Sequence, residues 1–168
     1  MIIGGQAVLL YGEPRLTRDI DITLGLDTDR LDEIIIITHE LRLKLLPQDI
    51  ESFVKETMVL PTQDEDTGIR VDFIFSFTPY EGEAIKRAKK VNILNQDVFF
   101  ASPEDLIIHK IFAGRPRDME DVRNVLSKNP DTDIKYIKDY LKEFDDSSEE
   151  KPYRKSFEEI IKELDGQL

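Results

Sequence analysis

Three aspartates have the residue type and spacing that suit metal-ion chemistry. Asp19 and Asp21 alternate with Ile20 and Ile22, and this period of two predicts a β-strand with both carboxylates on one face. Asp72 lies in a second segment with a similar alternation. Neighbouring carboxylates repel each other, which raises a pKa unless a cation neutralises them. Oxygen ligands without Cys or His suit Mg²⁺ or Mn²⁺ rather than Zn²⁺.

The chemistry depends on whether the two acidic strands are neighbours. If they are, Asp19, Asp21 and Asp72 converge on one edge of a sheet, where two metal ions can orient an in-line phosphoryl displacement. Two other interpretations stay open. The aspartates can be the solvated face of exposed strands, or they can hold a metal that serves only folding.

A glycine pair near the N-terminus suggests a phosphate site. Gly4 and Gly5 follow Ile2–Ile3 and precede a short apolar helix predicted from Gln6 to Tyr11. Backbone N–H groups in a glycine turn at a helix N-terminus favour phosphate, although a glycine pair alone is also a plain turn. The acidic strand just downstream strengthens the phosphate interpretation.

The remaining pattern predicts an α/β (α+β) protein in two parts. Strands and helices alternate over residues 1–101, which predicts a small mixed sheet flanked by helices. Residues 102–168 carry helical patterns only and predict a C-terminal helical bundle, whose first helix begins with Ser102 as N-cap and Pro103 at N1. In the first part, we expect a helix over 31–46 and strands over 52–60 and 69–77.

Composition narrows the class of protein. The 168 residues include 35 acidic and 23 basic side chains, a net charge of −12, which disfavours a general nucleic-acid binder. Cysteine is absent and only two histidines occur, so disulfides and Cys-based zinc sites are excluded and a multi-histidine metal site is disfavoured. No apolar run reaches membrane-spanning length and no signal peptide is visible. We therefore expect a soluble, cytoplasmic protein without a membrane partner.

Two stretches of the chain resemble a known superfamily. Ile3 and the string GGQAVLLYGEPRLTRDIDI that follows it form a hydrophobic–Gly–Gly motif, thirteen intervening residues and an Asp–hydrophobic–Asp–hydrophobic motif. This stretch resembles the nucleotidyltransferase fold superfamily (polymerase-β-like), in particular the small prokaryotic branch of abortive-infection and toxin–antitoxin nucleotidyltransferases. PEDLIIHKIFAGRPRDMEDVRNVL, with a Lys on one helix and an Arg-Asp pair on the next, is similar to a downstream motif of that branch. The resemblance covers about residues 1–128.

The resemblance implies a role for each matching residue. Asp19, Asp21 and Asp72 would bind Mg²⁺ (or Mn²⁺), and Asp72 would bind the second metal or activate the acceptor hydroxyl. Lys110 and Asp118 would lie at the nucleotide or acceptor site, and Asp121 would orient a basic residue. The implied catalytic residues are Asp19, Asp21, Asp72, Lys110 and Asp118. The implied nucleotide-binding residues are Gly4, Gly5, Arg15, Thr17 and Lys110. Lys110 can instead be a surface lysine and Asp118 a first-turn acid that interacts with the helix dipole.

The resemblance implies Mg²⁺-dependent transfer of a nucleoside monophosphate from an NTP, such as ATP, to a hydroxyl acceptor, with release of pyrophosphate. A tRNA or a partner protein is the favoured acceptor, and a small molecule such as an antibiotic is the less favoured one. The alternative is an inactive nucleotidyltransferase-fold binding module that acts as an antitoxin-like or regulatory protein. The last helix, with Phe157, Ile160, Ile161 and Leu164 on one face, is predicted to pack in the fold or to form a homodimer or toxin–antitoxin contact.

Overall fold

The central feature of the fold is a mixed β-sheet. The structure, a computed structural model, describes residues 1–147 and 152–166. Its strands are β1 (Ile2–Ile3), β2 (Asp19–Thr23), β3 (Leu43–Leu45), β4 (Val59–Asp64), β5 (Arg70–Ile74), β6 (Lys89–Ile93) and β7 (Gln96–Phe100). Its helices are α1 (Gly4–Tyr11), α2 (Leu31–Glu40), α3 (Ile50–Thr57), α4 (Pro79–Lys86), α5 (Pro103–Ala113), α6 (Pro116–Lys128), α7 (Ile134–Ser147) and α8 (Tyr153–Asp165).

The strands run in the order β3-β4-β5-β2-β1-β7-β6. β2 pairs with β5 in parallel, and β1 pairs with β7 in parallel, whereas the other neighbours are antiparallel. After β7 the described chain is helical. The predicted α/β (α+β) class, a mixed sheet with helices followed by a helical region, is therefore confirmed.

Chain contacts divide the protein into two compact units. The first comprises residues 1–6 and 16–100, and therefore contains the sheet; the second comprises residues 7–15 and 101–168. Helix α1 begins in the first unit and continues into the second. Among the described residues, no helix has the length and apolar character needed to cross a membrane.

The apolar core of the first unit lies on one face of β2, β4 and β5. It contains Leu31 and Ile34 of α2, Val54 of α3, and strand residues Leu60, Val71 and Phe73, together with Phe75 just after β5. Ile20 and Ile22 of β2 pack against this cluster. Because side chains alternate along a strand, burial of these apolar residues directs the aspartates between them to the opposite face.

Two predicted elements are wrong. The strand expected over 52–60 is helix α3, for which the Asp49 carboxylate accepts a hydrogen bond from the Ser52 N–H, and β4 begins only at Val59. The helix expected over 31–46 ends at Glu40, and Leu43–Leu45 forms edge strand β3 against β4. At 43–45 the local pattern was misleading because pairing with β4, a tertiary contact, decided the outcome. At 50–57 the cap that Asp49 provides favours a helix over the predicted strand.

The second unit buries the apolar faces of its helices. Helix α5 begins as predicted, because the Ser102 hydroxyl accepts the Asp105 N–H at 3.1 Å. The core includes Ile107 and Ile108 of α5, Val122 of α6, and Leu141 of α7. Phe157 and Ile160 of α8 are also buried. The predicted apolar face of the last helix therefore packs within this unit.

Candidate active site

The strand register brings the three predicted aspartates to one face of the sheet. β2 and β5 are adjacent and parallel, with Asp21 opposite Asp72 and Asp19 opposite Arg70. Residues aligned in this way point to the same side, because both strands share the same pleat. Asp19, Asp21 and Asp72, which we call the acidic face, are thus carried by two hydrogen-bonded strands.

Polar contacts orient the carboxylates at the two ends of the acidic face. The Thr17 hydroxyl donates to Asp19 Oδ1 at 2.9 Å. Arg70 Nε donates to Asp72 Oδ1 at 2.7 Å. The hydrogen bond to Asp72, together with the charges of Asp72, Asp19 and Asp21, raises the pKa of Arg70 above its ordinary value. The Arg70 guanidinium therefore interacts electrostatically with the whole acidic face.

The start of helix α1, where the predicted glycine turn would lie, is directly against Asp21. Gly4, the first residue of α1, has a φ of +63°, and Ile3 before it pairs with Asp21 in the β1–β2 ladder. A Cβ on Gly4 would lie only 1.8 Å from Asp21 Oδ2, so a side chain there would force the Asp21 carboxylate to move. Gly5 is buried. The close approach brings the start of a helix, where backbone N–H groups attract anions, next to the acidic face.

The donor chemistry of the acidic face fits a hard divalent cation. Its ligating atoms are carboxylate oxygens, which Mg²⁺ and Mn²⁺ prefer. Within residues 1–147 and 152–166, no group of three or more His, Cys, Asp or Glu side chains is arranged as a metal site. Asp72 instead bonds Arg70 and Asp19 bonds Thr17. The oxygen atoms suit such a cation, and side-chain rotation would be needed for all three aspartates to surround it.

In the second unit, Lys110 lies in a buried cluster of charges. Lys110 Nζ is 2.7 Å from Asp118 Oδ1 and 2.9 Å from Asp121 Oδ2. Arg15 donates from Nε and Nη2 to Asp121 at 3.0 and 2.9 Å. Lys110 is only 5% exposed, so it is not the surface lysine considered as the alternative. We call Arg15, Lys110, Asp118 and Asp121 the ion-pair cluster.

Asp118 also stabilises the start of α6. Its carboxylate accepts from the Arg115 backbone N–H at 3.3 Å and from Arg115 Nε at 2.6 Å. Burial on its own raises the pKa of Asp118, but the hydrogen bonds from Arg115 and Lys110, with their positive charges, bring that pKa below its ordinary value. Asp118 is therefore the first-turn acid of α6 and, at the same time, a buried partner of Lys110.

Comparison with known proteins gives the family. A family model described as "Nucleotidyltransferase of unknown function (DUF6036)" matches residues 1–164. The chain belongs to this family. A comparison with curated proteins found no significant match. The resemblance to the nucleotidyltransferase superfamily is confirmed, and the protein is a nucleotidyltransferase.

Two solved structures have a similar fold. One is a lincosamide antibiotic adenylyltransferase, LnuA, in a lincomycin-bound form, with a TM-score of 0.50, 17% identity, and coverage of 75% of this chain and 84% of that chain. The other is an antigenic nucleotidyltransferase-like protein from Paracoccidioides brasiliensis, with a TM-score of 0.50, 21% identity, and coverage of 77% of this chain and 66% of that chain. At these identities the similarity establishes the fold.

One residue at the acidic face of this nucleotidyltransferase was not singled out from the sequence. Arg70 lies two positions before Asp72, and the alternation along β5 places both on the same side of the sheet. The spacing was therefore visible in the sequence. What the sequence could not show is that Asp19, the strand partner of Arg70, belongs to a neighbouring strand.

Proposed function

We propose that this nucleotidyltransferase transfers a nucleoside monophosphate from an NTP to a hydroxyl acceptor in a reaction that requires Mg²⁺ or Mn²⁺. The observation that supports the proposal is the register of β2 and β5, which aligns Asp21 with Asp72 and carries Asp19 on the same face. Gly4, at the start of α1, packs against Asp21. Anion-binding backbone and cation-binding carboxylates therefore adjoin, as a metal–triphosphate substrate requires.

Each residue of the acidic face has a proposed part in the reaction. The acceptor oxygen forms a bond to the α-phosphorus, and the bond from that phosphorus to the pyrophosphate oxygen breaks. Asp19 and Asp21 provide oxygen ligands, Asp72 is the third carboxylate and assists removal of the acceptor proton, and Gly4 and Gly5 bind phosphate through the backbone. The divalent cation, when bound, neutralises negative charge that develops on the triphosphate.

The resemblance also implies roles for residues outside the acidic face, and these remain part of the proposal. Lys110 and Asp118 are proposed for the nucleotide or acceptor site, and Arg15 and Thr17 for nucleotide binding. Lys110, Asp118 and Arg15 also belong to the ion-pair cluster. Any loss of activity on their substitution must therefore be separated from a loss of folding.

For the acceptor, we propose a tRNA or a partner protein. The net charge of −12 favours a protein over a long RNA, because RNA phosphates repel an acidic surface. A small hydroxyl compound is the competing acceptor, since one nucleotidyltransferase of similar fold is a lincosamide antibiotic adenylyltransferase. The test therefore includes all three classes. A homodimer or a toxin–antitoxin partner is a further proposal, which light scattering of the purified protein and of its copurified complexes tests.

Label transfer is the direct test. Purified protein is incubated with Mg²⁺ and each α-labelled NTP, together with total tRNA, cell lysate or a panel of small alcohols. The double variant Asp19→Asn/Asp21→Asn should lose transfer. The matched control Asp29→Asn/Asp32→Asn removes the same charge at two exposed positions and should retain it.

The outcomes separate the proposal from its alternative. Label that moves to one acceptor class, and that is lost only in the Asp19/Asp21 variant, supports the transferase and names the acceptor. Absence of both transfer and NTP binding by calorimetry contradicts the proposed reaction and favours a masking module. Equal transfer by the wild type and the Asp19/Asp21 variant would refute the assignment of the acidic face.

A further inference from the structure

Arg70 supplies a positive charge at the position where the proposed function requires a cation. It lies opposite Asp19 in the β2–β5 ladder, and its Nε donates to Asp72 Oδ1 at 2.7 Å. The Asp72 side chain is 13% exposed, whereas that of Arg70 is 50% exposed. The carboxylate is thus largely enclosed, and the guanidinium can reach solvent without a change in the strand.

Electrostatics explains why the acidic face requires such a charge. Three carboxylates on two adjacent strands repel one another, and the repulsion opposes folding unless a positive charge is close. Arg70 supplies that charge, because its Nε bonds Asp72 and the strand register places it opposite Asp19.

We propose that Arg70 is the built-in counter-ion of the acidic face, which holds Asp72 until a divalent cation replaces it. The inference rests on the proposed function, because it takes Asp19, Asp21 and Asp72 as the cation ligands. Two positive charges at one carboxylate repel each other, so binding of the cation must weaken the Arg70–Asp72 contact. Arg70 is a positioning residue that lowers the affinity of the site for metal and stabilises the acidic face when metal is scarce.

Metal titration tests this competition directly. Binding of Mn²⁺ to the full-length protein is measured by calorimetry for the wild type, Arg70→Gln, Arg70→Lys and Arg30→Gln. Arg30 is a matched control, because its Nε also contacts a carboxylate, that of Glu33, and its side chain is 48% exposed. Thermal unfolding in EDTA is measured for the same proteins.

The expected result is a gain in metal affinity caused by loss of charge. Arg70→Gln should bind Mn²⁺ at least about threefold more tightly than the wild type. A change of that size in affinity corresponds to the strength of a partly exposed ion pair. Arg70→Lys retains the charge and should remain within about twofold of the wild type, as should Arg30→Gln. In EDTA, Arg70→Gln should unfold at a lower temperature, and Mn²⁺ should restore its midpoint more than that of the wild type.

A second measurement needs no variant. Solvent exchange of the Arg70 Nε–H, followed by nitrogen-15 NMR of the wild type, should accelerate when Mg²⁺ is added, whereas exchange of the Arg30 Nε–H should not. This measurement decides the matter if Arg70→Gln does not fold.

Three results would overturn the inference. Equal or weaker Mn²⁺ affinity in Arg70→Gln refutes competition, and the proposed function then still stands if the Asp19/Asp21 variant loses label transfer. If solvent exchange of the Arg70 Nε–H does not change when Mg²⁺ is added, displacement of Arg70 from Asp72 by the cation is refuted, and the proposed function again stands or falls with the Asp19/Asp21 variant. Absence of metal binding in the wild type and in every variant refutes the inference together with the proposed metal dependence.

Discussion

Gly4→Ala is the substitution whose effect the structure defines most sharply. The new Cβ would lie 1.8 Å from Asp21 Oδ2 and 2.8 Å from Asp21 Cγ, whereas real Cβ atoms keep at least 3.0 Å from such neighbours. The carboxylate must therefore move by about 1 Å or more. Asp21 is a short side chain on a paired strand, so this movement requires rotation away from its present position beside Asp72.

Two costs combine in Gly4→Ala. The φ of +63° at Gly4 disfavours a residue with a Cβ by roughly 1–2 kcal/mol, which lowers the free energy of unfolding. Displacement of a catalytic group by about 1 Å can reduce turnover roughly 100-fold. We therefore expect a modest loss of stability together with a large loss of label transfer and of Mn²⁺ affinity.

Gly68→Ala separates the two costs. Gly68 has a φ of +72°, but its Cβ would have nothing within 4 Å, so this variant has the backbone cost without the clash. Urea unfolding should show similar losses for both variants, or a larger loss for Gly4→Ala, whereas label transfer and Mn²⁺ binding should fall only in Gly4→Ala. Wild-type transfer and metal binding in Gly4→Ala would refute the reasoning that links Gly4 to Asp21.

Three further predictions concern stability. Lys110→Met leaves Asp118 and Asp121 without their buried lysine and should lower the free energy of unfolding by about 3–5 kcal/mol in urea; a loss below about 1 kcal/mol would contradict the ion-pair cluster. Asp118 has a lowered pKa in the folded protein, so its ionised form stabilises the fold. This contribution to the free energy of unfolding is complete above the unfolded pKa of about 3.9 and is lost as the pH falls through the lower folded pKa. The free energy of unfolding of Asp118→Asn should depend less on pH in that acid range than that of the wild type. Parallel plots of this free energy against pH for the two proteins would contradict the role given to Asp118. Phe75→Ala should cost about 3–5 kcal/mol because Phe75 is 2% exposed, whereas Phe77→Ala, at 62% exposure, should cost about 0.5 kcal/mol, with both values read from urea unfolding.

Local sequence patterns predicted those elements whose signals are local. Alternation along Asp19–Thr23 predicted β2, and the Ser102 hydroxyl with Pro103 predicted the start of α5, because a pleat and a helix cap involve only nearby residues. The pattern failed at 43–45 because a short edge strand depends on pairing with β4. It also failed at 50–57, where a strand was predicted although Asp49 caps a helix.

The sequence by itself determined which residue types could bind a cation and phosphate, and its Gly–Gly and Asp–x–Asp motifs indicated the superfamily. Only the tertiary structure decided that β2 and β5 are neighbours, so that Asp21 lies beside Asp72 and Arg70 opposite Asp19. Only the tertiary structure likewise shows that Lys110 is buried beside Asp118 and Asp121, since the apolar pattern of its helix does not predict these partners. The physical reason is that alternation specifies the face on which a side chain lies, whereas strand order and register arise from contacts between residues far apart in the chain.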